Sequence, residues 1–113
     1  MDRVNKYKKV IRKYLEDWCE FHPDEQTGIP LTIVEDSQHG HLQLLEIGHN
    51  KEGWNYNLFV HFQVKDDGRV ILLANNTDQE PADELVEGGI AAEDIYVGWV
   101  PPAIQTQLEK QPA

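Results

Sequence analysis

The sequence predicts an α+β domain: a long N-terminal helix packed on an antiparallel meander sheet of four to five strands, with a short second helix near the C-terminus. Three observations carry that expectation. The apolar spacing changes from that of a helix to that of a strand near Ile29. The stretch from Trp54 to Asn75 then combines strand alternation with a reversal at Asp66-Asp67-Gly68. Finally, the connections between extended segments are short, which favours neighbouring antiparallel strands.

Each element has its own justification. Val4, Tyr7, Ile11, Tyr14, Trp18 and Phe21 recur at the spacing of one helix face, widened by Val10 and Leu15. Charges along this helix run from basic to acidic, against its dipole, so packing through Ile11, Tyr14 and Trp18 has to hold it. His22-Pro23 ends it, because the residue before proline is pushed out of the helical region, and residues 22–28 read as a loop. Strands are expected at 31–35 and 42–47, on either side of a turn at Gly40, with 48–53 as a connection. Strict alternation puts Tyr56, Leu58, Val60, Phe62 and Val64 on one face of the next strand, with Phe59 as the apolar exception on the other. The Asp66-Asp67-Gly68 turn suits a three-residue loop with glycine in the left-handed position, and 70–74 returns as a strand. Thr77-x-x-Glu80 reads as a capping box for a helix at 82–87, with Pro81 tolerated in its first turn and Gly88-Gly89 as its stop. Residues 95–97 form a short edge strand, Pro101-Pro102 breaks it, and 103–110 make a last helical turn or two.

Bulk properties narrow the function classes. At 113 residues the chain is one domain, 1–113, large enough to bury a modest core. A single cysteine and the lack of an apolar leader predict a cytoplasmic protein, and the longest apolar run, 70–74, is far short of the roughly 20 residues that span a bilayer. The formal charge is −10, unevenly spread. Beyond residue 21 stand four basic residues against sixteen acidic ones, a balance of −12. A field of that sign repels duplex DNA, so direct specific binding of DNA by the lone chain is not expected, and a basic protein partner fits better.

Candidate chemistry is sparse. His39, His41 and His61 define a metal- or ligand-binding alternative, with hydrolysis as its natural activity, but no paired zinc motif accompanies them. Cys19 and His22 have the spacing of a nucleophile and base, without an orienting third group. The carboxylate pairs 66/67, 83/84 and 93/94 fit turns and caps better than a calcium loop. No enzyme and no cofactor are therefore expected. Trp99, beside Pro101 and Pro102, fits either a core or an interface anchor.

Taken in order, His41-Leu-Gln-Leu-Leu-Glu-Ile-Gly48, Phe59-Val-His-Phe-Gln-Val-Lys-Asp66, Asn76-Thr77-Asp78 with the acidic segment 82–87, and Gly89-Ile90-x-x-Glu93-Asp94-Ile95-x-x-Gly98 resemble the XisI family, the controlling factors for excision of the fdxN element known from cyanobacteria. The resemblance covers nearly the whole chain. It implies a non-enzymatic regulator that works with a site-specific recombinase and an XisH-like protein, and it brings no catalytic residue. The expected contact elements are Asp83, Glu84 and Glu87 with Trp99, Pro101 and Pro102, since an aromatic anchor with a charged rim suits a protein interface. Homodimerisation through an uncovered sheet edge is the competing association.

Overall fold

A computed structural model describes residues 2–21, 29–77 and 79–101. The expected loop at 22–28, the turns at 103–110 and Pro102 lie outside the described residues. Helix α1 spans Asp2–Phe21, and its apolar stripe decides how it lies. Val4, Tyr7, Ile11, Tyr14 and Leu15 are buried, with Val10, Trp18 and Cys19 packed at the margin. They meet Leu42, Leu44, Val60, Phe62, Val64, Val70 and Leu72 of the sheet in one core. Tyr14 and Phe62 stand edge to face at 5.9 Å, the geometry that the ring quadrupoles favour.

Strands β1 (Leu31–Asp36), β2 (His41–Asn50), β3 (Gly53–Val64), β4 (Val70–Asn75) and β5 (Ile95–Val97) form one sheet in the order β1-β2-β3-β4-β5. The first four are an antiparallel meander. The fifth departs from it: β5 runs parallel to β4, Val70 opposite Ile95, so the sheet is mixed at this edge. A parallel neighbour needs a crossover of a dozen or more residues, and α2 (Pro81–Glu87) with the 3-10 turn Ala92–Asp94 supplies it. Leu85 and Ile90 on that crossover are buried in the same core as α1.

β2 also extends further than its composition suggests, through Gly48 to Asn50, so the connection to β3 is a tight turn at Lys51-Glu52.

The face assignment of β3 changes midway. Leu44 pairs with Val60 while Leu45 pairs with Leu58, so Phe59 is an extra residue, a β-bulge. Val60, Phe62 and Val64 face α1 as alternation requires, and the bulged Phe59 reaches the same side to meet Trp18 edge to face at 5.9 Å. Before the bulge the phase is reversed. Asn57 then points inward, where its Nδ2 donates to the buried carboxylate of Glu46 at 3.1 Å, while Tyr56 and Leu58 turn to the outer face with Leu45. A second bulge, at Leu73, separates the pairs His61–Ala74 and Phe62–Leu72.

Turn chemistry is met in one place and replaced in another. Gly68 adopts φ +92°, and its N–H donates to Lys65 O while Lys65 N–H donates to Arg69 O, as a three-residue loop with a left-handed glycine requires. The capping box does not form. Glu80 is the N-cap with no side-chain bond, while Thr77 Oγ1 accepts from Gln79 N–H and donates to Asn75 Oδ1. Thr77 is thus spent on the loop, and Pro81 at the first helical position starts α2 by its fixed φ.

Candidate functional site

α2 is short, and its sides are sorted by burial. Pro81 and Leu85 are buried while Asp83, Glu84 and Glu87 are exposed. Asp83 and Glu84 lie in the first turn, where the helix dipole favours negative charge. Glu84 and Glu87 line a groove of about 590 Å³ between α1 and α2, with Lys9, Lys13 and Trp18 on the opposite wall. The acidic row therefore borders cations of α1. Lys13 is committed within its own helix, its Nζ 2.6 Å from Asp17 Oδ1.

The second expected patch follows β5. Gly98 N–H donates to Leu72 O at 2.8 Å and Val100 N–H to Val97 O at 3.1 Å, so the chain leaves the sheet in a turn. Trp99 is carried outward by that turn and is 59% exposed, which removes the core alternative for it. Pro101 is exposed as well. The acidic row and the tryptophan thus stand on different elements, one on α2 and the other just beyond β5.

Of the three histidines considered for a metal, two come together. His41 Nδ1 lies 2.9 Å from His61 Nε2, the rings 5.0 Å apart and tilted. They are brought there by the pairing of His41 with Gln63 and of Gln43 with His61, which places both on the outer face of the sheet. Burial, and then the neighbouring His41, push the pKa of His61 below the usual imidazole value. One imidazole donates to the other only while at least one ring is neutral. His39 is turned away, its Nδ1 2.8 Å from Asp36 Oδ2 in a turn where that aspartate also accepts the N–H groups of Gln38 and His39. Among the described residues no group of three or more His, Cys, Asp or Glu side chains is placed to hold a metal ion.

Cys19 packs against the core, and burial followed by Glu16 raises its thiol pKa, the opposite of activation. His22 lies outside the described residues. No described helix is long and apolar enough to cross a membrane.

Three polar ties escape a one-dimensional reading because they join distant segments. Tyr7 Oη donates to Asp94 Oδ2 at 2.6 Å and accepts from Ala91 N–H at 3.3 Å, tying α1 to the 3-10 turn. The only signal for it was a tyrosine in an apolar stripe, an apolar body with a polar tip. Arg12 forms a two-pronged bond to Glu35 at 2.9 and 2.7 Å, fastening α1 to edge strand β1, and the Arg3 guanidinium bonds Asp67 O at the β3–β4 turn.

This geometry defines a class of small helix-on-sheet α+β domain, closed at one edge by a parallel crossover strand. The chain belongs to the XisI family, whose profile, described as XisI protein, matches residues 1–109. A crystal structure of a XisI-like protein from Anabaena variabilis ATCC 29413 is similar to it at 28% identity, with a TM-score of 0.81, covering 97% of this chain and 99% of that one. The structure of the fdxN element excision controlling factor XisI from the same organism shares the fold at 16% identity, with a TM-score of 0.71, covering 91% of this chain and 98% of that one. No curated protein matches the chain.

Proposed function

We propose that this chain is a non-enzymatic controlling factor for excision of a DNA element by a site-specific recombinase, and that it works in the cytoplasm by binding another protein, an XisH-like factor above all. Family membership supports the excision setting. The observation that carries the binding mode is the exposed aromatic Trp99 on a chain with an exposed acidic row, Asp83, Glu84 and Glu87. An exposed indole supplies a desolvating anchor, and charges on a rim steer a partner of opposite sign and set the rate of encounter. Pro101 extends the anchor's segment, and Pro102 continues it in sequence.

Direct reading of DNA is disfavoured by the same charges, since phosphate contacts need clustered Lys and Arg, and six of the ten basic residues are confined between Arg3 and Lys13. Co-purification with the XisH-like protein of the same genome tests the proposal. The wild-type chain is expected to be retained, and Trp99→Ala and the pair Glu84→Lys with Glu87→Lys to be lost while keeping their thermal transitions. Retention of all variants, or specific submicromolar binding of duplex DNA by the lone chain at about 150 mM salt, overturns it.

A further inference from the structure

The face of the sheet turned away from α1 is apolar and almost free of charge. Val34, Leu45, Ile47, Trp54, Tyr56 and Leu58 share it, as the pairs Leu45–Leu58 and Ile47–Tyr56 require once the bulge at Phe59 has reversed the phase of β3. Leu45 forms its floor at 5% exposure, while Trp54 and Tyr56 stand out at 60% and 64%. Its other strand positions are Thr, Gln, Ala, Ile, Tyr and His residues. Of the three carboxylates on its strands, Glu35 and Glu46 turn to the α1 side with Leu42 and Leu31, and only Asp36, at the rim and bonded to His39, belongs to this face. This is unexpected in a chain with 10 basic and 20 acidic residues. A solvated sheet face ordinarily carries its share of charges, and one without them is read as a surface to be covered.

We infer that a second copy of this chain covers it, the two sheets packing face to face about a two-fold axis. In such an interface the same patch is used on both sides, so residues near the axis meet their own copies and any charge there meets its like. For a chain of net charge −10 a charge-free face satisfies that condition. A basic partner would be matched by carboxylates instead, and these stand on α2, on the other layer of the fold. Area agrees with this choice. The sheet's first four strands, of six to twelve residues at about 3.3 Å each and together about 19 Å across, project on the order of 500 Å² before side-chain relief is added. That approaches the ~800 Å² that each partner contributes to a standard interface. Trp54 and Tyr56 are the aromatic anchors, and aligned sheet packing brings the faces to about 10 Å.

Salt dependence separates this contact from the partner surface proposed above. Two copies of like net charge repel, and screening relieves the repulsion, so self-association tightens as salt is added. Charge-steered capture of a basic protein weakens under the same change. Sedimentation equilibrium of the full chain at about 50 μM is therefore expected to show a dimer whose dissociation constant falls between about 50 and about 300 mM salt. Tyr56→Lys, which sets two like charges in the interface, is expected to raise that constant more than ~10-fold, and Trp54→Glu to do the same if the first variant fails to fold. Val86→Lys, on α2, leaves the dimer intact. A monomer at all concentrations overturns the inference, whether residues 102–113 or a different protein covers the face. So does a dimer indifferent to both face variants, or one that weakens with salt.

Discussion

Gly40 has less freedom than its place in a turn suggests. Its φ is +76°, its N–H donates to Asp36 O and its carbonyl accepts from Val64 N–H at 2.8 Å. A Cβ added there would sit 2.2 Å from Val64 O, a backbone atom that cannot step aside without opening the β2–β3 pair. Gly40→Ala is therefore expected to cost about 3 kcal/mol or more, read as a shift of the urea midpoint, and a loss under about 1 kcal/mol would contradict that geometry. The turn was legible in the sequence. The reason for glycine was not, because the atom that forbids a side chain is 24 positions away.

His61 gives a pH dependence with a definite sign. Its folded-state pKa is lowered, so as pH falls through the unfolded value of about 6.5 the unfolded chain takes up the proton first, and stability drops from there down to the folded pKa. Carboxylates held low by Arg12, His39 and Arg69, namely Glu35, Asp36 and Asp67, act only at more acid pH, where protonating them removes further stability. Unfolding by urea between pH 8 and 5 is expected to show the first loss near pH 6.5 and His61→Gln to flatten it. An unchanged profile in the variant would assign the effect elsewhere.

At the level of the elements, the outcome turned on one residue of β3. Alternation assigns Tyr56 and Leu58 to the core side, and it does so because a period of two carries no mark of an extra residue. Phe59 was visible as an apolar exception, and the bulge is what makes an apolar residue sensible there, since it turns the ring onto Trp18. Phe59→Ala removes that contact and is expected to cost about 2 kcal/mol, whereas deleting Phe59 restores alternation and would drive Tyr56 inward and Asn57 away from Glu46. The deletion should therefore be the more damaging of the two in thermal unfolding; equal losses would mean that the bulge is not holding the register. Phe62→Ala, at the centre of the α1–sheet contact with Tyr14, is expected to cost about 3–5 kcal/mol in the same assay.

The other elements show where sequence signals compete. α1 was legible because a long stripe of apolar residues has one solution. The parallel setting of β5 was not, since its three residues carry no direction, and only the buried Leu85 and Ile90 of the crossover fix where the chain returns. Thr77 and Glu80 had the spacing of a capping box, yet Asn75 Oδ1 captured the threonine first.

The whole molecule presents surfaces of different chemistry: basic residues on α1, an acidic row on α2, an exposed tryptophan just beyond β5, and a sheet face almost free of charge. The exposure of the acidic residues was legible in the sequence because charge is a local property, whereas Trp99 stood between core and surface until the turn after β5 placed it outside. The uncharged face was not legible, because it is assembled from four strands whose phase depends on the bulge. The two proposed contacts thus differ in chemistry and in their response to salt: a basic protein at α2 and Trp99, and a like copy at the sheet.

Binding of a protein partner is the central claim, and titration calorimetry of the chain with the XisH-like protein of the same genome tests it most directly. Association at micromolar concentration or tighter is expected at about 50 mM salt, weakening at about 300 mM as the acidic rim is screened. No heat and no co-migration at micromolar concentration in low salt would contradict it.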